Sequence, residues 1–261
     1  MEWFNTLLYE PLFNTLMFLV EHFPGNDLGL AIIALTLLIK VILFSPSLSA
    51  IKSQRALQEM QPKLNELKEK YKDNREELSR QLLTFYKEHK VNPLSSCLPL
   101  LIQLPILIAL YQVFINGLKT DPDTGFLVAE QFQHLYSSLR EIYTQKVVNT
   151  QFLGILDISK SGNWPLAILS GILQYLQTRR MLARQPQKVG ADKNAPEDQA
   201  AAIGRQMTTF MPLLTVWFGA TLPAGITLYW IVNILFTVIQ QEIFLKIHPV
   251  PKPALLEEKK V

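Results

Sequence analysis

Five long apolar runs punctuate the chain, at 28–48, 94–116, 163–180, 207–222 and 223–245. A helix needs ~20 mostly apolar residues to cross the hydrocarbon of a bilayer, so each run is read as a transmembrane span. The first two are clear. The third, NWPLAILSGILQYLQTRR, is short and turns polar toward its end. Only TLPAG separates the last two, which leaves room for a tight turn and predicts an antiparallel helical pair.

The polar stretches between the runs have patterns of their own. Within 49–93, Leu57, Met60, Leu64, Leu67 and Tyr71 recur at helical spacing, and Leu78, Leu82 and Phe85 continue it after a break. Asp73 or Asn74 suits the cap of the second helix, with Glu76 and Glu77 in its first turn. The segment is therefore predicted to form an antiparallel helical hairpin. Two narrow apolar stripes bury little, so the hairpin should move relative to the membrane. Its outer faces carry Lys63, Lys68, Lys70, Lys72, Arg75 and Arg80. Two readings of that basic surface stand: a solvated face near anionic lipid, or a docking surface.

Residues 1–27 are apolar but interrupted by Glu10, Pro11 and Glu21, and they lack the basic start of a secretory signal. They are read as an amphipathic helix lying in the outer interface, with Trp3, Phe4, Phe13 and Phe18 toward lipid. The alternative is a poor extra span. Segment 117–162 is a long connection on the same side. Segment 181–206 is polar, with two prolines and two glycines, and is expected to be flexible, as is the tail 246–261.

Composition narrows the class. Of 261 residues, 49% are hydrophobic and 18% charged, too apolar for an ordinary cytosolic enzyme, and a net charge of +3 argues against a nucleic-acid-binding protein. The distribution of charge then sets an orientation. Segment 49–93 holds ten Lys or Arg, Arg179 to Arg205 six and the tail four, whereas residues 1–27 hold none. Basic connections stay in the cytoplasm, which predicts five spans with the N-terminus outside and the C-terminus inside. The single cysteine, Cys97, permits neither an intramolecular disulfide nor a cysteine metal cluster. No metal or other cofactor is expected.

One residue does not fit an inert span. Lys40 lies inside LGLAIIALTLLIKVILF, where a charge at mid-span costs about 2.5–3.5 kcal/mol. Its stem allows snorkelling to the cytoplasmic headgroups. The other reading is a wet cavity lined by the polar residues of the remaining spans: Thr36 one turn before the lysine, Gln103, Ser170, Gln174, Thr215 and Asn233. Each hydroxyl alone means little, because it can bond its own helix. No Asp or Glu lies in any run except Glu242, and neither HExxH nor GxSxG occurs. An unpaired cation in a groove would attract acidic or polar segments passing through. A small transporter or channel is the rival reading, against which stand an odd span count and the missing intramembrane carboxylate. An intramembrane enzyme lacks a nucleophile and base.

Three motifs carry a resemblance. KVNPLSSCLPLLIQLPILIALYQVF at 90–114 resembles the signature of the YidC/Oxa/Alb membrane protein insertases. TTFMPLLTVWFGATLPAGITLYWIVNILFTVIQQ at 208–241 is similar to their closing hairpin. LGLAIIALTLLIK followed by MQPKLNELKEKY resembles their first core span and cytoplasmic hairpin, and YEPLFNT fits the interfacial helix. The resemblance runs from about residue 9 to 246 and implies an all-α polytopic membrane protein. Five spans would surround a hydrophilic groove open to cytoplasm and lipid, with no large outer domain.

The family's groove arginine falls on Lys40, its threonine on Thr36, and the second aromatic of its LYY motif on Trp230. The lysine keeps the charge but loses the forked donor of arginine. The resemblance also implies non-enzymatic insertion and chaperoning of nascent membrane proteins, alone or with the Sec translocon. Its further implied partners are the ribosome and the signal recognition particle receptor.

Overall fold

The computed structural model describes residues 2–89, 98–121, 124–183 and 210–248. It is dominated by helices. A helical run from Glu2 leads into α1 (Glu10–His22), whose Phe13, Leu16, Met17 and Val20 form one fully buried stripe. Phe13 therefore does not face lipid. It packs inward, stacked on Tyr9 with ring centroids 5.8 Å apart and lying against Gly117, while Trp3 and Phe18 stay exposed. The chain then turns at Gly25 and Asn26, both with positive φ. Asp27 accepts a hydrogen bond from the Leu30 N–H at 3.0 Å and so starts α2 (Leu28–Ile42).

The helix drawn from sequence as 28–48 ends at Ile42. There the chain bends by 65° into α3 (Phe44–Lys70). Pro46 lies just after the bend, and its missing N–H removes one bond from the helical ladder. After residues 71–74 comes α4 (Arg75–Glu88), which packs against α3. Asn74 caps it by accepting the Glu77 N–H at 3.1 Å. Leu64, Leu78 and Phe85 are buried, with Met60, Leu67, Tyr71 and Leu82 half-buried around them.

The second apolar run gives α5 (Leu98–Gln112), which continues as a wider helical turn to Gly117. α6 (Ala129–Phe132) and α7 (Ser137–Tyr143) are short. β1 (Gln151–Phe152) pairs antiparallel with β2 (Leu156–Asp157), Phe152 opposite Leu156. The last helices are α8 (Trp164–Ala183), α9 (Phe210–Thr221) and α10 (Ala224–Ile247). α10 packs on both α2 and α8. Close approach of α8 to α9 needs Gly171, where a Cβ would sit 2.2 Å from Val216 Cγ2.

Among the described residues, α10 is the one helix long and apolar enough to cross a membrane by itself, and Leu28–Ile42 with Phe44–Ala56 can do so as a bent pair. Leu101–Gly117 and Phe210–Thr221 are shorter apolar helices. The sequence-predicted loop 181–206 and tail 246–261 lie mainly outside the described residues.

Segment 124–158 and α1 together build a cap. Asn14, 3% exposed, donates to the His134 carbonyl at 2.7 Å and accepts the Tyr136 N–H at 2.7 Å. Tyr143 donates to the Met17 carbonyl at 2.9 Å, and Tyr9 to Gln131 Oε1 at 3.1 Å. Lys146 pairs with Glu21 at 2.7 Å, and His134 meets Glu10 at 3.1 Å. Burial, reinforced by the Glu10 charge, pushes the Tyr9 hydroxyl up to about 12. Burial and Glu21 likewise raise Tyr143.

Candidate functional site

α10 is apolar along most of its surface, yet Tyr229, Asn233, Thr237 and Gln240 recur at intervals of four, four and three. That spacing puts four polar side chains on one face, along about 16 Å of helix. Three other elements meet this stripe. Gln103 of α5 donates from Nε2 to the Tyr229 hydroxyl, which is buried. Lys40 of α2 donates from Nζ to Thr237 Oγ1 at 3.1 Å. Ser47 of α3 donates to Gln240 Oε1 at 2.8 Å.

Lys40 is half-buried, with its ammonium 5.9 Å from the Phe236 ring centroid. Among the described residues no carboxylate pairs with it. Its one hydrogen-bonding acceptor there, the Thr237 hydroxyl, in turn donates to the Asn233 carbonyl at 2.7 Å. Two buried atoms of the stripe, Asn233 Oδ1 and Gln240 Nε2, have no partner among the described residues. An amide left without a partner away from water costs about 1–3 kcal/mol, so this face favours water or a polar guest.

The family model described as 60Kd inner membrane protein matches residues 19–250. The chain belongs to that family. Curated relatives within reach include the membrane protein insertase YidC of Geobacter sulfurreducens, 31% identical over 240 residues covering 92% of this chain and 37% of the relative. That of Actinobacillus succinogenes is 32% identical over 243 residues, 92% and 37%. That of Campylobacter jejuni is 30% identical over 249 residues, 94% and 38%. The chain thus spans little more than a third of the length of these relatives.

In this member of the family, the residues singled out from sequence fall into two sets. Lys40, Gln103 and Asn233 meet the α10 stripe or lie on it. Thr36, Ser170, Gln174 and Thr215 are instead bonded within their own helices. Thr36, fully buried, donates to the Ile32 carbonyl at 2.6 Å. Ser170, also fully buried, donates to Ala167 at 2.7 Å, and Thr215 to Met211 at 2.9 Å. Gln174 reaches Thr178, one turn along α8, at 3.5 Å. Trp230 is half-buried and meets Phe218 edge-on at 6.3 Å. Sequence reasoning missed Ser47, Tyr229, Thr237 and Gln240. The signal was the 229, 233, 237, 240 spacing in an otherwise apolar helix.

On the α3–α4 pair, Lys63, Lys70, Lys72 and Arg80 are exposed, and Lys68 is half-buried. Lys70 lies over the Tyr71 ring at 5.3 Å, and Arg80 is 3.8 Å from Glu77. The Arg75 side chain lies outside the described residues. The base of α3 is tied to the end of α10. Arg55 donates to the His248 carbonyl, stands over the Phe244 ring at 5.9 Å and pairs with Glu59 at 2.8 Å.

Proposed function

We propose that this chain is a membrane protein insertase whose polar α10 stripe and Lys40 line a groove that receives hydrophilic segments of nascent membrane proteins. The observation that carries the reading is an ammonium without a carboxylate partner among the described residues, held by a neutral hydroxyl beside two unpartnered amide atoms. The similarity to relatives named membrane protein insertase YidC supports it. α2, α5, α8, α9 and α10 are the five spans, with the cap outside and α3–α4 in the cytoplasm. The charge asymmetry of the connections supports that orientation.

The mechanism needs no cofactor and no covalent step. A short N-tail or loop of the client enters from the cytoplasm and exchanges water for the stripe's amides and hydroxyls. Where the segment is acidic, Lys40 offsets part of its desolvation. The client's apolar span moves sideways into lipid, and burial of ~20 apolar residues drives the transfer. The basic surface of α3–α4 recruits clients, with the ribosome, the signal recognition particle receptor and the Sec translocon as partners. Thr36, Ser170, Gln174, Thr215 and Trp230 shape the walls.

The test is insertion of a single-span client into liposomes that hold only this protein, read as protease protection of the client. Insertion above protein-free liposomes is expected, and equal protection would contradict the reading. Orientation is checked separately in cells carrying Cys97→Ser. Ser138→Cys should react with an impermeant thiol reagent and Asp73→Cys should not; the reverse pattern would invert the topology.

A further inference from the structure

The cap ends in a hairpin tip of unusual chemistry. β1 and β2 are joined by Leu153, Gly154 and Ile155, closed by the Ile155 N–H donating to the Phe152 carbonyl at 3.0 Å. Leu153 and Gly154 both have positive φ, 53° and 70°. Such a turn favours Asn, Asp or Gly, side chains that suit water. Here it holds a leucine that is 60% exposed, followed by an isoleucine that is 87% exposed.

Lone exposed apolar residues are common and need no explanation. The position of these two does call for one. The Leu153 N–H donates to Asp27 Oδ2 at 2.6 Å, and Asp27 is the residue that caps α2. The Phe152 ring lies over Gly29, where a Cβ would come within 2.1 Å of it. Just beyond the hairpin, the Ile158 carbonyl accepts the Gly225 N–H at 2.8 Å, and the Lys160 carbonyl accepts the Ala224 N–H at 2.9 Å. The hairpin is thus fastened to the first turns of both α2 and α10, the two helices with the strongest claim to cross a membrane. Helix ends of that kind lie at the boundary of hydrocarbon and headgroups. Trp164 opens α8 from the same side and is 57% exposed, as an interfacial tryptophan would be.

We infer that Leu153 and Ile155 insert into the lipid leaflet on the cap side and fix the cap to the membrane surface. The tip buries apolar side chains in the acyl boundary, and the rigid turn presents them without further ordering. The inference rests on the chain being a membrane protein and not on the insertase reading.

The experiment uses the full chain with Cys97→Ser in phosphatidylcholine–phosphatidylglycerol vesicles. An environment-sensitive fluorophore is placed on Ile155→Cys, and on Ser138→Cys, an exposed cap position, as reference. The Ile155 probe should emit to the blue of the reference, be quenched by lipid carrying a shallow spin label, and resist aqueous iodide at least several-fold better. Iodide quenching equal to the reference would overturn the inference. Shielding from both quenchers would also overturn it, because the tip would then be covered by protein. As a second readout, Leu153→Asn with Ile155→Ser keeps a turn-forming residue at positive φ. Cleavage of the cap by added protease in vesicles should rise several-fold, and unchanged cleavage would count against insertion.

Discussion

Lys40 Nζ lies 3.1 Å from Thr237 Oγ1, across 197 positions of sequence, and this bond joins α2 to α10 in the middle of the candidate groove. A half-buried ammonium whose acceptor is a neutral hydroxyl is held loosely enough to change partners. The bond should be measurable as a coupling. Thr237→Val keeps the shape of the side chain and removes the acceptor, so it should lower stability in detergent by about 1–2 kcal/mol. In a Lys40→Ala background the same change should cost much less. Equal costs in both backgrounds, read from thermal or denaturant unfolding, would mean that the two residues do not interact.

The cap depends on Asn14. Its amide serves the His134 carbonyl and the Tyr136 N–H from a nearly water-free position. Asn14→Leu should strand both backbone groups and cost roughly 2–4 kcal/mol, at about 1–3 kcal/mol for each unsatisfied group before any relaxation. Limited proteolysis should then cut within 124–158 well before it cuts elsewhere. An unchanged cleavage pattern would argue that the cap is held by its apolar contacts alone.

Alkaline pH should open the same region. The Tyr9 hydroxyl is pushed up to about 12 by burial and Glu10, and Tyr143 is raised as well. A folded-state pKa above the unfolded value near 10 leaves stability untouched while both states are neutral. It lowers stability once the unfolded tyrosines ionise, so cap stability should fall as pH rises above about 10. Tyr9→Phe should flatten that slope, measured as proteolysis or unfolding against pH. A slope unchanged in Tyr9→Phe would remove Tyr9 from the account.

The α3–α4 pair should be separable from the membrane helices. Replacing residues 60–88 with a short linker keeps Arg55 on Phe244 and the His248 carbonyl, so the protein should still accumulate in the membrane. Client insertion should fall several-fold, because the basic face is gone. Loss of the protein itself would instead make the pair necessary for folding.

Some of this was legible in the sequence. The apolar runs gave the helices, and the Asp-Asn pair at 73–74 located the cap of α4, because capping is a local interaction. The end of α2 at Ile42 was also signalled, by Pro46, though hydropathy alone runs past it. The cap was not legible. The helices of its 124–158 part are four and seven residues long and the strands two, too short for periodicity to show. Among the candidate site residues, Lys40 stood out as a charge in an apolar run. Its partner did not, because Thr237 is one common hydroxyl in a long apolar run where Asn233 drew the attention. Thr36, Ser170 and Thr215 looked equally polar in sequence, but each bonds its own helix.

The central claim is that Lys40 meets clients. Liposomes holding the wild-type chain, Lys40→Ala, Lys40→Arg or Lys40→Glu would be given matched single-span clients with an acidic or a neutral translocated segment. Lys40→Arg should match or exceed wild type. Lys40→Ala should lower insertion of the acidic client about tenfold, a loss of ~1.4 kcal/mol, and spare the neutral one. Lys40→Glu should be worst for the acidic client, since like charge adds to the desolvation cost. A snorkelling lysine would behave differently, because Lys40→Ala would then remove only a costly group from the span. Equal activity of Lys40→Ala and wild type on the acidic client would contradict the groove.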